Sequence, residues 1–386
     1  MMKKQTSHIL SFILLIFIQS ASAQLDATPE PPKVNASSYI LTDFHSGYVL
    51  AAENPHLQVE PASITKMMTA YVVFSEIKSG QLSLTDQITV SEKAWRTGGS
   101  KMFIEVDKQV SVEDLIRGMI IQSGNDACVA LAEHIAGSED VFASLMNQHA
   151  EKLGMRDSTF KNATGLPEEG HLVSAFDVAI LGKALITEFP DLYHFYSEKE
   201  FTFNKIKQHN RNTLLYRDPT VDGFKTGHTE AAGYCLATSA MRNGMRLINV
   251  VMGTDSEKAR ADESQKLLNY GFRFFETHKL YQAGDERIRS EIWKGQKEDI
   301  SIGLMDDLFI TIPKGTYDQL EANVDLPKLL TAPIPQGTKL GNLNIMLNGE
   351  MVEQKALVAL ENAEQSGWWS RSMDSIGLWF KSFGDD

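Results

Sequence analysis

The stretch from Glu60 to Phe74, "EPASITKMMTAYVVF", sets Ser63 and Lys66 three residues apart at the head of an apolar run, just after Glu60-Pro61 breaks the chain. The run predicts a helix, and on a helix positions i and i+3 share a face, so the hydroxyl and the amine can meet. A serine hydroxyl is a poor nucleophile without an adjacent base, and a neutral lysine can serve as that base. The spacing alone decides nothing. It recurs at Ser75/Lys78 and Ser158/Lys161, where a solvated lysine is the ordinary explanation.

Two further elements change the reading. "SGN", Ser123-Gly124-Asn125, and "KTGH", Lys225 to His228, follow in order, and Ser-x-Asn and Lys-Thr-Gly each occur once in the chain. Singly, the first reads as a helix cap or turn and the second as a strand end. Together with Ser-x-x-Lys they make a set that serine acyltransferases use.

The chain around these motifs reads as mixed. Residues 24–36 form an extended lead-in, and "SSYILTDFHSGYVLAAENP" reads as a hairpin turning at His45-Ser46-Gly47. Residues 84–137 read as helical, interrupted by the loop "RTGGSKMF", with further helices at 141–153 and 175–186. After Pro219 come two alternating strands around Asn243-Gly244, then a helix, "SEKARADESQKLLNYGFRFFE". Strands at both ends of a helical middle imply an α+β domain whose sheet is assembled from distant parts, over residues 37–279. Short alternating runs between Pro- and Gly-containing turns then predict a small all-β domain over 284–362.

Both chain ends carry their own signals. Lys3 and Lys4, the apolar run 9–18 and Ala21-Ser22-Ala23 read as a secretory signal, residues 1–23, with an apolar part too short to span a membrane. Residues 367–386 place Trp369, Met373, Ile376, Trp379, Phe380 and Phe383 at helical spacing, which predicts an amphipathic helix lying on a membrane or docked on protein. Few basic residues are present there, so apolar burial has to carry any lipid binding.

Bulk properties exclude other classes. At 386 residues the chain is long enough for two domains. A net charge of −13 repels nucleic acid, so none is expected as a partner. Cys128 and Cys235 lie in apolar stretches and are expected as buried free thiols rather than a bridge. No metal-ligand spacing occurs and no cofactor is implied.

On "PASITKMMTAYVV", "IQSGNDACVALAEHIAGSE", "VDGFKTGHTEAAGY" and "KLLNYGFRFFE", followed by the β domain and aromatic tail, the whole chain resembles the low-molecular-mass penicillin-binding proteins of the type-5 D-alanyl-D-alanine carboxypeptidase group. The resemblance implies a penicillin-binding, β-lactamase-like domain of sheet plus helical subdomain. It further implies Ser63 as the nucleophile forming the acyl-enzyme, Lys66 as its base, Ser123 as a proton relay, and Asn125 as holder of the substrate amide and of Lys66. Lys225 and Thr226, with Gly227 beside them, would receive the terminal carboxylate, and the amides of Ser63 and His228 would form the oxyanion hole. Arg211 and Arg260 would support the carboxylate site.

The implied partners are the peptidoglycan stem peptide ending in D-Ala-D-Ala, β-lactams, and inner-membrane lipid on the periplasmic face. Two other readings stay open: a serine β-lactamase, and a wall-binding or morphology protein in which catalysis is secondary. The Glu-x-x-Leu-Asn string of class A β-lactamases is absent, Glu168-Glu169 being followed by "GHLVSAF".

Overall fold

Met245–Thr254, "MRLINVVMGT", is buried at eight of its ten positions, because both faces of its sheet are covered. The computed structural model describes residues 28–367. Met245–Thr254 is the middle strand of five in it, in the order Val49–Glu53, Ser38–Asp43, Met245–Thr254, Gly233–Arg242, Val221–Thr229. Every neighbouring pair is antiparallel, and Ser38–Asp43 pairs residue by residue with Leu247–Met252, so the sheet closes only when segments some two hundred residues apart meet.

Alternation assigns the faces. Ile248, Val250 and Met252 enter a large core shared with the helices Lys66–Lys78, Asn125–Ala136 and Ala175–Glu188. Leu247 and Val251 face the other way, onto Leu267 and Leu268 of the helix Glu257–Phe274. Each such side chain stabilises the fold by about 1.5–3 kcal/mol when fully buried. Helix starts follow the sequence: Ser111, Ser138, Ser174 and Ser256 each accept a backbone N–H of the first turn, satisfying a donor that the helix itself leaves unpaired.

The helical reading of 84–137 holds only from Val112. Before it, Gln87–Thr89 pairs with Gln109–Ser111 as a short ribbon, and only Glu92–Arg96 between them is helical. Ile88 and Val110 alternate with polar neighbours at a strand's period, which suits a ribbon with one buried face. A second hairpin, Glu200–Phe203 with Ile206–His209, turns on Asn204-Lys205, both at positive φ, and was not anticipated.

The five-stranded sheet and its helices are followed by an all-β domain, the α+β plus β class expected. Phe275–Tyr281 pairs with Leu308–Pro313. Six further strands form one sheet around Ile300, Ile302, Leu343, Ile345 and Leu357. Cys128 and Cys235 are both buried free thiols, as expected. The expected signal segment 1–23 lies outside the described residues, as does the tail helix 367–386 beyond Gly367. No helix among the described residues is long and apolar enough to cross a membrane.

Candidate active site

Ser63 lies in a single 3-10 turn, Ala62–Thr65, and the α-helix proper begins at Lys66. Residues i and i+3 eclipse in a 3-10 turn, so the pair meets as well as it would on an α-helix. Lys66 Nζ donates to Ser63 Oγ at 2.9 Å, to Asn125 Oδ1 at 2.7 Å and to the Thr164 carbonyl at 2.6 Å. Lys66 is 1% exposed. Burial lowers its pKa below the ordinary lysine value, and the Arg211 charge adds to that effect.

The Ser123-Gly124-Asn125 corner joins the helices Val112–Ile120 and Asn125–Ala136. Ser123 takes φ +66°, a left-handed conformation, and its Oγ is buried with no hydrogen-bond partner among the described residues. Asn125 is fixed at both ends: its Oδ1 takes Lys66, and its Nδ2 donates to Gly98 O at 2.8 Å. Gly99, at φ +81°, leaves room for that amide, since a Cβ there would come within 2.6 Å of Asn125 Nδ2.

Lys225, Thr226 and Gly227 lie on the edge strand Val221–Thr229. A Cβ on Gly227 would meet Pro61 O at 3.0 Å, so the strand packs directly on the turn that carries Ser63. Lys225 is 2% exposed and donates to Thr226 O at 3.1 Å. Its pKa is held well below the ordinary value, first by burial and then by the charges of Lys66, Arg211 and Arg260.

The two arginines differ. Arg211 is exposed and makes no ion pair among the described residues, while its neighbours Asn210 and Asn212 are buried, with Asn212 Nδ2 donating to Gly223 O at 3.2 Å. Arg260 is buried and committed: it donates to Gly227 O at 3.2 Å, pairs with Glu257 at 3.5 Å and lies over the Tyr234 ring. Tyr234 in turn packs at a tilt against His228, with ring centroids 3.9 Å apart.

Three residues of the site were not anticipated. Asp126 accepts the amides of Met102, Phe103 and Ile104 at 2.9–3.3 Å and so ties loop 98–104 to the Asn125 helix. A carboxylate in the first turn of a helix was the available signal. Thr164 acts through its carbonyl and His171 through a contact with Thr65, and no local pattern marks either. Among the described residues no cluster of His, Cys, Asp or Glu is arranged to hold a metal ion.

Similarity to known proteins agrees with this geometry. The D-alanyl-D-alanine carboxypeptidase family matches residues 25–256, and the penicillin-binding protein 5 C-terminal domain matches residues 275–365. The chain is 44% identical to D-alanyl-D-alanine carboxypeptidase DacC of Escherichia coli (strain K12), over 97% of this chain and 96% of the relative. Penicillin binding protein 5 from Haemophilus influenzae superposes with a TM-score of 0.86 at 44% identity, over 87% of this chain and all of that one. Penicillin-binding protein D2 from Listeria monocytogenes, in its ampicillin-bound form, superposes with a TM-score of 0.58 at 30% identity over 62% of this chain. With the family's match covering most of the catalytic domain and its β domain following in place, this chain belongs to the D-alanyl-D-alanine carboxypeptidase family of penicillin-binding proteins.

Proposed function

We propose that Ser63 carries out the family's D-alanyl-D-alanine carboxypeptidase reaction in this chain, releasing the last D-alanine of a peptidoglycan stem peptide by way of an acyl-enzyme. The observation that carries the assignment is the set of three oxygens around Lys66 Nζ. Two of them, Asn125 Oδ1 and Thr164 O, can only accept a hydrogen bond. A neutral amine has two N–H donors and one lone pair. If the donors go to the two carbonyls, the lone pair is left facing the one oxygen that carries a proton, that of Ser63. Burial and the Arg211 charge favour that neutral form.

The steps follow. Ser63 Oγ attacks the carbonyl of the penultimate D-alanine while its proton passes to Lys66. Donors at the Ser63 and His228 amides stabilise the developing oxyanion. The tetrahedral centre collapses, the C–N bond breaks, and the departing D-alanine amine takes a proton through Ser123, whose buried hydroxyl has no other partner. Water then attacks the ester and restores Ser63. Lys225, Thr226 and Arg211, which makes no ion pair among the described residues, receive the terminal carboxylate, whereas Arg260 supports the Gly227 backbone from behind. β-Lactams acylate the same serine. Among the described residues no carboxylate hydrogen-bonds to Ser63 or Lys66, and Glu168 is taken by Asn162 at 3.0 Å, which favours slow β-lactam release over β-lactamase turnover.

We further assign the enzyme to the periplasmic face of the inner membrane, exported by residues 1–23 and held there by the tail, with a role in cell-wall synthesis and cell shape. Its test is flotation of the exported chain with anionic-lipid vesicles, with and without the tail.

The deciding experiment is D-alanine release from a peptide ending in Lys-D-Ala-D-Ala by the parent and by Ser63→Ala. Release by the parent alone supports the assignment; equal release by Ser63→Ala overturns it.

A further inference from the structure

The turn that carries Ser63 is poorly supported from within. It is one turn long, it has no side-chain cap at either end, and it is entered through Ala62 at φ +46°, a left-handed conformation that costs an alanine of order 1 kcal/mol or more. What holds it is a second segment, residues 163–173, running alongside. Thr69 Oγ1 donates to Ala163 O at 2.7 Å, and Lys66 Nζ donates to Thr164 O at 2.6 Å. Gly165, at φ +83°, lies against the Ala62 carbonyl so closely that no Cβ fits. At the far end Val59 and Val173 exchange backbone hydrogen bonds at 2.9 Å.

Each of those contacts uses backbone on the supporting side. One does not: Thr65 Oγ1 and His171 Nε2 lie 3.0 Å apart. His171 is 1% exposed, its ring edge meets Phe160, and its Nδ1 has no hydrogen-bond partner among the described residues. An imidazole buried with one nitrogen unsatisfied is an expense that core packing alone does not explain, because an apolar side chain would fill the space without that cost.

We propose that His171 is a positioning residue for the acylation step: through its bond to Thr65 it locks the Ser63 turn against segment 163–173, so that Ser63 Oγ and Lys66 Nζ keep the separation that proton transfer needs. His171 touches neither substrate nor the reacting atoms; it acts through Thr65. The inference rests on Ser63 being the nucleophile. Burial pushes the His171 pKa down to about 4, which keeps the ring neutral where the enzyme works.

The test compares full-length parent, His171→Ala, His171→Gln, Thr65→Val, the His171→Ala/Thr65→Val double variant and Ser63→Ala. Active sites are titrated with penicillin so that rates are expressed per competent site. A misplacement of order 1 Å can slow a reaction about 100-fold, so His171→Ala and Thr65→Val should each lower kcat for D-alanine release by about 10- to 100-fold, with KM little changed. The double variant should be no slower than the worse single one, because both remove the same bond. His171→Gln, whose carboxamide can still bond the Thr65 hydroxyl, should recover most of the rate. A merely structural role predicts fewer competent sites with an unchanged rate per site, and that result would overturn the proposal. If His171→Ala does not fold, Thr65→Val decides alone, being nearly isosteric. D-alanine release by Ser63→Ala at the parent rate would instead remove the nucleophile assignment on which the inference rests.

Discussion

Thr277 Oγ1 donates to Asp43 Oδ2 at 2.7 Å, joining the start of the β domain to the end of the first catalytic strand across 234 residues of sequence. Asp43 is buried, and its Oδ1 accepts Ser46 N at 2.7 Å and Ser46 Oγ at 2.9 Å. Thr311 Oγ1 closes the ring, 2.7 Å from Ser46 Oγ and 2.9 Å from Thr277 Oγ1. One carboxylate therefore organises three hydroxyls at the joint. Asp43→Ala leaves these donors without an acceptor and should cost about 2–3 kcal/mol, read by urea unfolding, while the penicillin titre of the folded protein stays at the parent value.

Arg211 lowers the pKa of Lys66, so removing its charge should raise it. In the proposed mechanism Lys66 is the base and must be neutral to act, so activity falls as pH drops through its pKa. In Arg211→Gln the acid limb of the kcat profile should therefore move to higher pH, alongside a raised KM from the weakened carboxylate site. An acid limb that stays in place would show that the Arg211 charge does not tune Lys66.

Gly165 offers a sharper steric test. Its φ of +83° and the Ala62 carbonyl against its Cα leave no place for a methyl group. Gly165→Ala should push the supporting segment off the turn that carries Ser63 and slow penicillin acylation by about 10-fold or more, since displaced reacting groups lose rate steeply. Gly170 has φ +77° but only a Lys161 side chain nearby. The strain of Gly170→Ala is borne away from the turn, so its acylation rate should stay near the parent's.

Asp126→Asn keeps the shape of the side chain but loses the charge that holds the Met102, Phe103 and Ile104 amides. Hydrogen bonds to charged groups contribute about 1.5–3 kcal/mol, so loop 98–104 should become the first site of proteolytic nicking, seen by mass spectrometry of limited digests.

His171 also predicts a pH dependence of stability. Its folded pKa of about 4 lies below the ordinary histidine value of 6.5, burial being the main cause, with Lys161 adding to it, Glu168 opposing it, and Thr65 and Phe160 the uncharged neighbours. The unfolded chain therefore takes up a proton between those two pH values that the folded chain refuses. Stability is unaffected above pH ~6.5 and falls as pH drops toward ~4, by up to about 3 kcal/mol from this group. His171→Gln should be less pH-sensitive than the parent over that window in urea unfolding.

The sequence alone determined which residues are proposed for the chemistry. Ser63, Lys66, Ser123, Asn125 and Lys225 are legible because each stands in a short motif whose spacing has a local physical meaning, a shared helical face, a corner between helices, a strand. The strands around Asn243-Gly244 and the capped helices are legible for the same reason: alternation, turn chemistry and caps act over a few residues. Where the periodic signal was short, as at Gln87–Thr89, the local pattern could not separate strand from helix.

Only the tertiary structure decided how those parts act. That Thr164 offers its carbonyl to Lys66, that Arg260 serves the Gly227 backbone, and that His171 reaches Thr65 are contacts between segments 33 to 106 residues apart. No local pattern encodes them. They exist because the five-stranded sheet joins both ends of the catalytic domain and draws segment 163–173 against the turn that carries Ser63, and burial there lowers the pKa of both Lys66 and His171.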